Sequence, residues 1–333
     1  MPRWFTCAIP FLGPSRSVVR VDRRLVLRVA GALLSIASVA WIVKRFVEQG
    51  ALARMLGKDQ GRLALTAGSG ALTYAGAVAL LAFAWLLVQR AACASALPVR
   101  PLLRVYCISQ FAKYLPGNVG HYVGRHVWCR RHGIGHAALL AAAVSEAAVL
   151  IFAAMAWSAP LLGAETLQQW WPHSPEACWL WAAQACVLLA VWLMLRWLPL
   201  SLEGVGSLRR MSDRIVVSML PLHLLFFAVL GASLCGPAMV MGAPADIVLV
   251  LPAAAAISWL AGFLVVGAPA GIGVREVVFV AVLAGRMPEA DLLALAAVMR
   301  VITFGGDFAA FAVATMLRAG SEPEATHRTT AKR

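Results

Sequence analysis

Six long apolar runs, at about 25–43, 64–88, 137–162, 177–198, 215–242 and 292–318, constrain this chain more than any other feature. A helix needs about 20 mostly apolar residues to cross the hydrocarbon of a bilayer, and each run supplies them. Lipid offers no hydrogen-bond partner to backbone N–H and C=O groups, so segments of this length and polarity read as spanning helices. Composition agrees. Hydrophobic residues make up 61% of the 333 and charged residues 13%, with a mean hydropathy of +0.79. A soluble domain carries roughly 25% charged residues. The expected fold class is all-α and integral to the membrane: about six full transmembrane helices plus two re-entrant or discontinuous helical hairpins.

The expected organisation is a basic tail over residues 1–24, a single membrane domain over 25–318, and a second tail over 319–333. The net charge of +14 does not signal nucleic acid, because the basic residues are scattered among apolar runs and no soluble basic module remains. It reads instead as the cytoplasmic excess of Lys and Arg in a multi-pass protein. Residues 89–136 hold Arg90, Arg100, Arg104, Lys113, Arg125, Arg130 and Arg131 with no acid, and Arg209, Arg210 and Arg214 follow the fourth run. Both stretches and the basic tail are assigned to the cytoplasm, with both termini inside, in a bacterial inner membrane. The 44–63 loop, with Lys44, Arg45, Arg54, Lys58 and Arg62, is discordant with this vote. The short apolar patch at 4–12 lacks a cleavage site and reads as part of the tail. Seven cysteines, several inside apolar runs, imply packing rather than a disulfide framework.

Two further apolar stretches, at about 98–130 and 248–286, are broken by Pro and Gly. Each contains a Pro-x-x-(Val/Ile)-Gly element: Pro116, Val119 and Gly120 in one, Pro269, Ile272 and Gly273 in the other. Each is followed by an arginine, Arg125 and Arg275. The 153-residue shift that superposes them also carries the first two apolar runs onto the fourth and fifth. The chain therefore reads as two copies, about 25–162 and 177–318, each of span, span, broken hairpin and span. Three crossings per copy make the second copy enter from the opposite face, an inverted-topology repeat of the kind transporters use.

Pro removes a backbone donor and Gly relaxes the backbone, so such breaks leave unpaired polar groups. At membrane depth these must be buried in protein or line a wet cavity. Lys113 and Arg125 flank the first break, and Tyr114 and Tyr122 lie beside it. A helix restarting near Val119 turns a positive dipole end and free N–H groups toward an anion. At the second break, Arg275 and Glu276 either neutralise each other or act separately. Glu146, Arg300 and Asp307 sit inside apolar runs, where charge is costly and faces the bundle interior. Glu146 and Arg300 occupy related places in the two copies, and a contact between them across the repeat interface is expected.

At these residues the chain resembles a family. Phe111-Ala112-Lys113-Tyr114-Leu115-Pro116-Gly117-Asn118-Val119-Gly120 and Pro269-Ala270-Gly271-Ile272-Gly273-Val274-Arg275-Glu276 are similar to two signatures of the transmembrane domain of lysylphosphatidylglycerol synthases. The resemblance covers about residues 25–318, with Ala270 where the family often has Gly. It implies a flippase-like translocator of a phosphate-bearing lipid, anionic phospholipid or polyprenyl-phosphate-linked. A separate synthase domain makes the lipid in bifunctional members; none is expected in the 15 residues after the last run. Substrate-binding residues are expected at Lys113, Tyr114, Pro116, Gly117, Gly120, Arg125, Pro269, Gly271, Gly273, Arg275 and Glu276.

No nucleotide-binding G-x-x-x-x-G-K-(S/T) occurs, so transport is expected to be passive or ion-coupled. No cofactor and no metal are expected: His126, Cys129 and His132 lack the usual four-ligand spacing. An enzymatic alternative, polyprenyl-phosphate-dependent glycosyl transfer, rests on Glu289-x-Asp291, which also reads as an acidic first helical turn. The other alternative is a non-transporting accessory protein of a lipid or glycan assembly complex, partnered by a lipid- or glycan-modifying enzyme.

Overall fold

The computed structural model describes residues 23–92, 98–114, 120–158, 186, 205–265 and 267–316. Among them the fold is all-helical. The helices are α1 (Arg23–Glu48), α2 (Ala51–Leu56), α3 (Gln60–Ala92), α4 (Val99–Gln110), α5 (Gly120–Arg131), α6 (His136–Ser158), α7 (Val205–Val240), α8 (Ile247–Leu264), α9 (Val274–Val282) and α10 (Glu289–Met316). Two 3₁₀ turns, Phe111–Tyr114 and Pro269–Gly271, lie in the two broken stretches.

Six helices are long and apolar enough to cross a membrane: Val29–Glu48, Gln60–Arg90, His136–Ser158, Ser218–Val240, Ile247–Leu264 and Glu289–Met316. The chain is a multi-pass membrane protein. Five of these fall on expected runs. The run expected at 177–198 lies outside the described residues, apart from Cys186, as do the tails at 1–22 and 319–333. The sixth, α8, forms the first arm of the second broken stretch and is by itself long and apolar enough to cross. Pro252 falls inside it, in the second turn, and removes one backbone donor without ending the helix. The chain breaks only after Leu264.

Glycines end the helices where the chain must reverse. Gly50, Gly133 and Gly242 adopt φ of 62°, 81° and 86°, a left-handed conformation that costs Gly little. After α5, Ile134 N–H donates to Cys129 C=O, and after α7, Ala243 N–H donates to Ala238 C=O. Each bond satisfies a terminal carbonyl of its helix.

The core lies around α3, which packs against α7 on one side and α10 on the other, with α8 against α7 and α6. Small residues allow close approach. A Cβ on Gly231 of α7 would lie 2.4 Å from the Pro252 Cα of α8, and one on Gly306 of α10 would lie 2.6 Å from the Ala71 carbonyl of α3. Close backbone approach of this kind is how membrane helices associate without a hydrophobic drive between them.

Charge ties one end of the bundle. Lys58 Nζ donates to the Met241 carbonyl at 2.8 Å, and Arg45 Nη2 reaches Glu289 Oε2 at 2.5 Å. Arg54 and Lys58 both lie 3.6 Å from Asp291. At the opposite end, Arg104 Nε donates to the Ala314 carbonyl at 3.1 Å.

Candidate functional site

The two breaks meet. The Phe111–Tyr114 turn packs directly on the Pro269–Gly271 turn. In the first, the α5 N-terminus stacks so closely that a Cβ on Gly120 would lie 2.5 Å from the Ala112 carbonyl. In the second, the backbone reverses through Gly267, Ala270, Gly271 and Gly273 at φ of 105°, 49°, 69° and 84°. Gly273 lies so near α1 that a Cβ would sit 2.8 Å from the Ser35 carbonyl, and Ser35 Oγ donates to the Ile272 carbonyl at 2.6 Å. The second break is thus clamped between α1 and α8.

Buried ion pairs surround the meeting point. Arg125 Nη1 donates to both carboxylate oxygens of Glu146 at 3.0 Å. The Arg125 guanidinium also lies 4.5 Å from the Tyr106 ring, 4.9 Å from Tyr122 and 5.5 Å from Trp85, a cage that suits a planar cation. Tyr106 Oη donates to Glu146 Oε1 at 3.2 Å. Lys113 Nζ lies 2.7 Å from Asp307 Oδ2, which also accepts from Tyr114 Oη at 2.7 Å. Arg300 forks onto Glu276 Oε1, with its Nε at 2.6 Å. Glu276 Oε2 accepts the Gly273 N–H at 2.7 Å, closing the N-terminus of α9.

Arg275 differs from these. No carboxylate pairs with it among the described residues. Its guanidinium lies 5.7 Å from the Trp259 ring, and its buried Nε has no hydrogen-bond partner. Gly262 gives it room, since a Cβ there would lie 2.5 Å from Arg275 Cγ. Arg275 lines a cavity of about 50 Å³ together with Lys113, Arg125, Glu146, Gln110 and His121. The cavity holds a water or two by size. His121 Nδ1 is a second buried polar atom on its wall without a partner. The four cations Lys113, Arg125, Arg275 and Arg300 face three carboxylates, Glu146, Glu276 and Asp307. One positive charge is left unbalanced, on Arg275. At low dielectric such a charge draws an anion strongly.

Of the expected site residues, Lys113, Arg125, Arg275 and Glu146 line this cavity. Tyr114 and Asp307 brace Lys113, Glu276 and Arg300 form their own pair, and Gly120, Pro269, Gly271 and Gly273 shape the breaks. Pro116 and Gly117 lie outside the described residues. The expected Glu146–Arg300 contact is not formed. Each finds a nearer partner across the turn that joins the short helix after its break to the next long helix, Arg125 and Glu276 in turn. The Arg275–Glu276 alternative resolves with Glu276 paired to Arg300 instead.

Sequence reasoning missed Trp259, Tyr106, His121 and Gln110. The spacing of Tyr106 and Gln110 by one helical turn, in line with Lys113 and Tyr114, was the available signal. Glu289 and Asp291 are engaged by Arg45, Arg54 and Lys58. His126 Nε2 lies 2.9 Å from His136 Nδ1. Among the described residues no cluster of three or more His, Cys, Asp or Glu is placed to hold a metal. Compared with known proteins, the chain matches no family model and no curated protein.

Proposed function

We propose that this chain is a transbilayer translocator of a phosphate-bearing lipid or lipid-linked substrate, a relative of the lysylphosphatidylglycerol synthase membrane domain, with no nucleotide-hydrolysis motif in this sequence. One observation carries this reading: the two broken stretches touch, and the charges around their contact leave Arg275 unbalanced beside a small cavity. Paired interruptions are where transporters of inverted-repeat design bind their substrates.

The pairing pattern supports the repeat. In the first half an arginine on the short helix after the break, Arg125, pairs with a carboxylate on the next long helix, Glu146. In the second half the short helix supplies the carboxylate, Glu276, and the long helix the arginine, Arg300. In this reading α4–α5 and α8–α9 are re-entrant arms from opposite faces of a bacterial inner membrane, with both termini cytoplasmic. The cavity is too small for a head group, so the substrate phosphate reaches Arg275 only when the halves separate.

A second reading, a non-transporting accessory protein, draws on the fact that Lys113 and Arg125 are already neutralised. Reconstitution into liposomes with labelled lipids of different head groups separates the two. Wild type is expected to translocate an anionic lipid and Arg275→Gln to lose most of that rate, with Arg275→Lys retaining part. Absence of translocation for every anionic lipid, with the protein folded, favours the accessory role.

A further inference from the structure

A second cavity, of about 240 Å³, lies on the other side of the Arg125–Glu146 pair. It shares Tyr122, Arg125 and Glu146 with the inner cavity, so these three side chains form the wall between them. Its remaining walls come from Trp85 and Gln89 of α3, from α5 and from α6. The lining residues Val123 and Val127 of α5 and Leu140 of α6 are 56%, 46% and 57% exposed. On a membrane-embedded bundle these apolar side chains face lipid.

Two observations define what fits there. Gln89 is 1% exposed, lines this cavity, and its Oε1 has no hydrogen-bond donor. A buried acceptor without a partner is uncommon and costs free energy until a donor arrives. The cavity also carries no net charge. Arg125 is neutralised by Glu146, whose Oε1 accepts Tyr106 Oη as well. The His126 ring pKa is lowered, first by burial and then by His136 and Arg130.

We propose that this cavity is a binding site for a neutral, hydroxyl-bearing membrane amphiphile of the diacylglycerol type. The ligand hydroxyl donates to Gln89 Oε1, and the acyl region lies along Val123, Val127 and Leu140. A volume somewhat below the usual 300–1,000 Å³ of ligand pockets holds the polar end and the start of the chains, with the remainder in the bilayer. A phosphate finds an unbalanced cation in the inner cavity but none here, so the two compartments select by charge. The proposal does not depend on translocation.

The test is a binding titration of the full-length chain in nanodiscs, read by native mass spectrometry. The probes are dioctanoylglycerol and its 3-O-methyl ether, which lacks the donor. Dioctanoylglycerol is expected to bind saturably and at least fivefold more tightly than the ether. Gln89→Met, which keeps side-chain length, is expected to remove that preference and leave the ether's affinity unchanged. Leu140→Trp, which fills the cavity, is expected to abolish binding of both, with a melting profile measured alongside to verify folding. Equal affinity of the two probes for wild type overturns the proposal, as does a preference that survives Gln89→Met. Tighter binding of dioctanoyl phosphatidic acid than of dioctanoylglycerol, lost in Leu140→Trp, overturns the assignment to a neutral ligand.

Discussion

Glu146 and Arg125 carry the largest single electrostatic commitment in the described bundle, since both are almost fully buried. Removing one partner of such a pair strands the other charge in a dry interior. Glu146→Ala is therefore expected to destabilise by about 3–5 kcal/mol, whereas the double replacement Arg125→Met with Glu146→Leu recovers most of that loss. Equilibrium unfolding in detergent checks both, and equal instability of the single and double variants contradicts the pairing argument. His126 gives a smaller, pH-dependent effect. Its folded pKa lies below the ordinary 6.5, through burial first and then its neighbours His136 and Arg130. Below about pH 6.5 the unfolded chain takes up the proton more readily, so the histidine's contribution is present above that pH and fades with acid. Melting temperatures are expected to fall less between pH 7.5 and 5.5 in His126→Gln than in wild type.

The second break holds a non-glycine residue where the backbone asks for glycine. Ala270 sits at φ 49°, a conformation that costs an L-residue about 1–2 kcal/mol. Ala270→Gly is expected to raise stability by up to about 1 kcal/mol, the gain reduced by the greater freedom of Gly in the unfolded chain. Gly231→Ala is expected to cost about 1–3 kcal/mol, because the atom it meets belongs to the α8 backbone and cannot swing aside. Thermal unfolding of the purified chain tests both signs. These elements were largely legible beforehand. Uninterrupted apolar length marks a span and clustered Pro and Gly mark a break, because both signals are local. Partner choice was not. Glu146 and Arg300 occupy related positions in the two halves, yet relatedness in a repeat is not proximity. The pairs that form join residues 21 and 24 apart in sequence, across a turn whose geometry no local pattern encodes. Gln89 was invisible for another reason: a lone amide near the end of an apolar run looks like an interfacial residue. Its place one turn after Trp85 puts both on the same helix face.

The ties at the two ends of the bundle give a topology that can be checked directly. Gly135, just before α6, and Ala245, just before α8, are both exposed. They lie at opposite ends: Lys58 holds Met241 beside the start of α3, whereas His126 and Leu139, on either side of the α5–α6 turn, line a cavity with Gln89 near its close. In a cysteine-free background, Gly135→Cys and Ala245→Cys are expected to react with an impermeant maleimide from opposite faces of sealed vesicles. Labelling of both from one face would contradict this placement at opposite ends. Next to the cavity, Asp307 joins Lys113 and Tyr114 of the first broken stretch to the last helix of the second. Any motion that parts the first broken stretch from the last helix must sever this clasp and strand an ammonium and a carboxylate at once. Separation is then an all-or-nothing event rather than a gradual loosening. Under the proposed translocation, the incoming phosphate must supply the negative charge that Lys113 loses when it leaves Asp307.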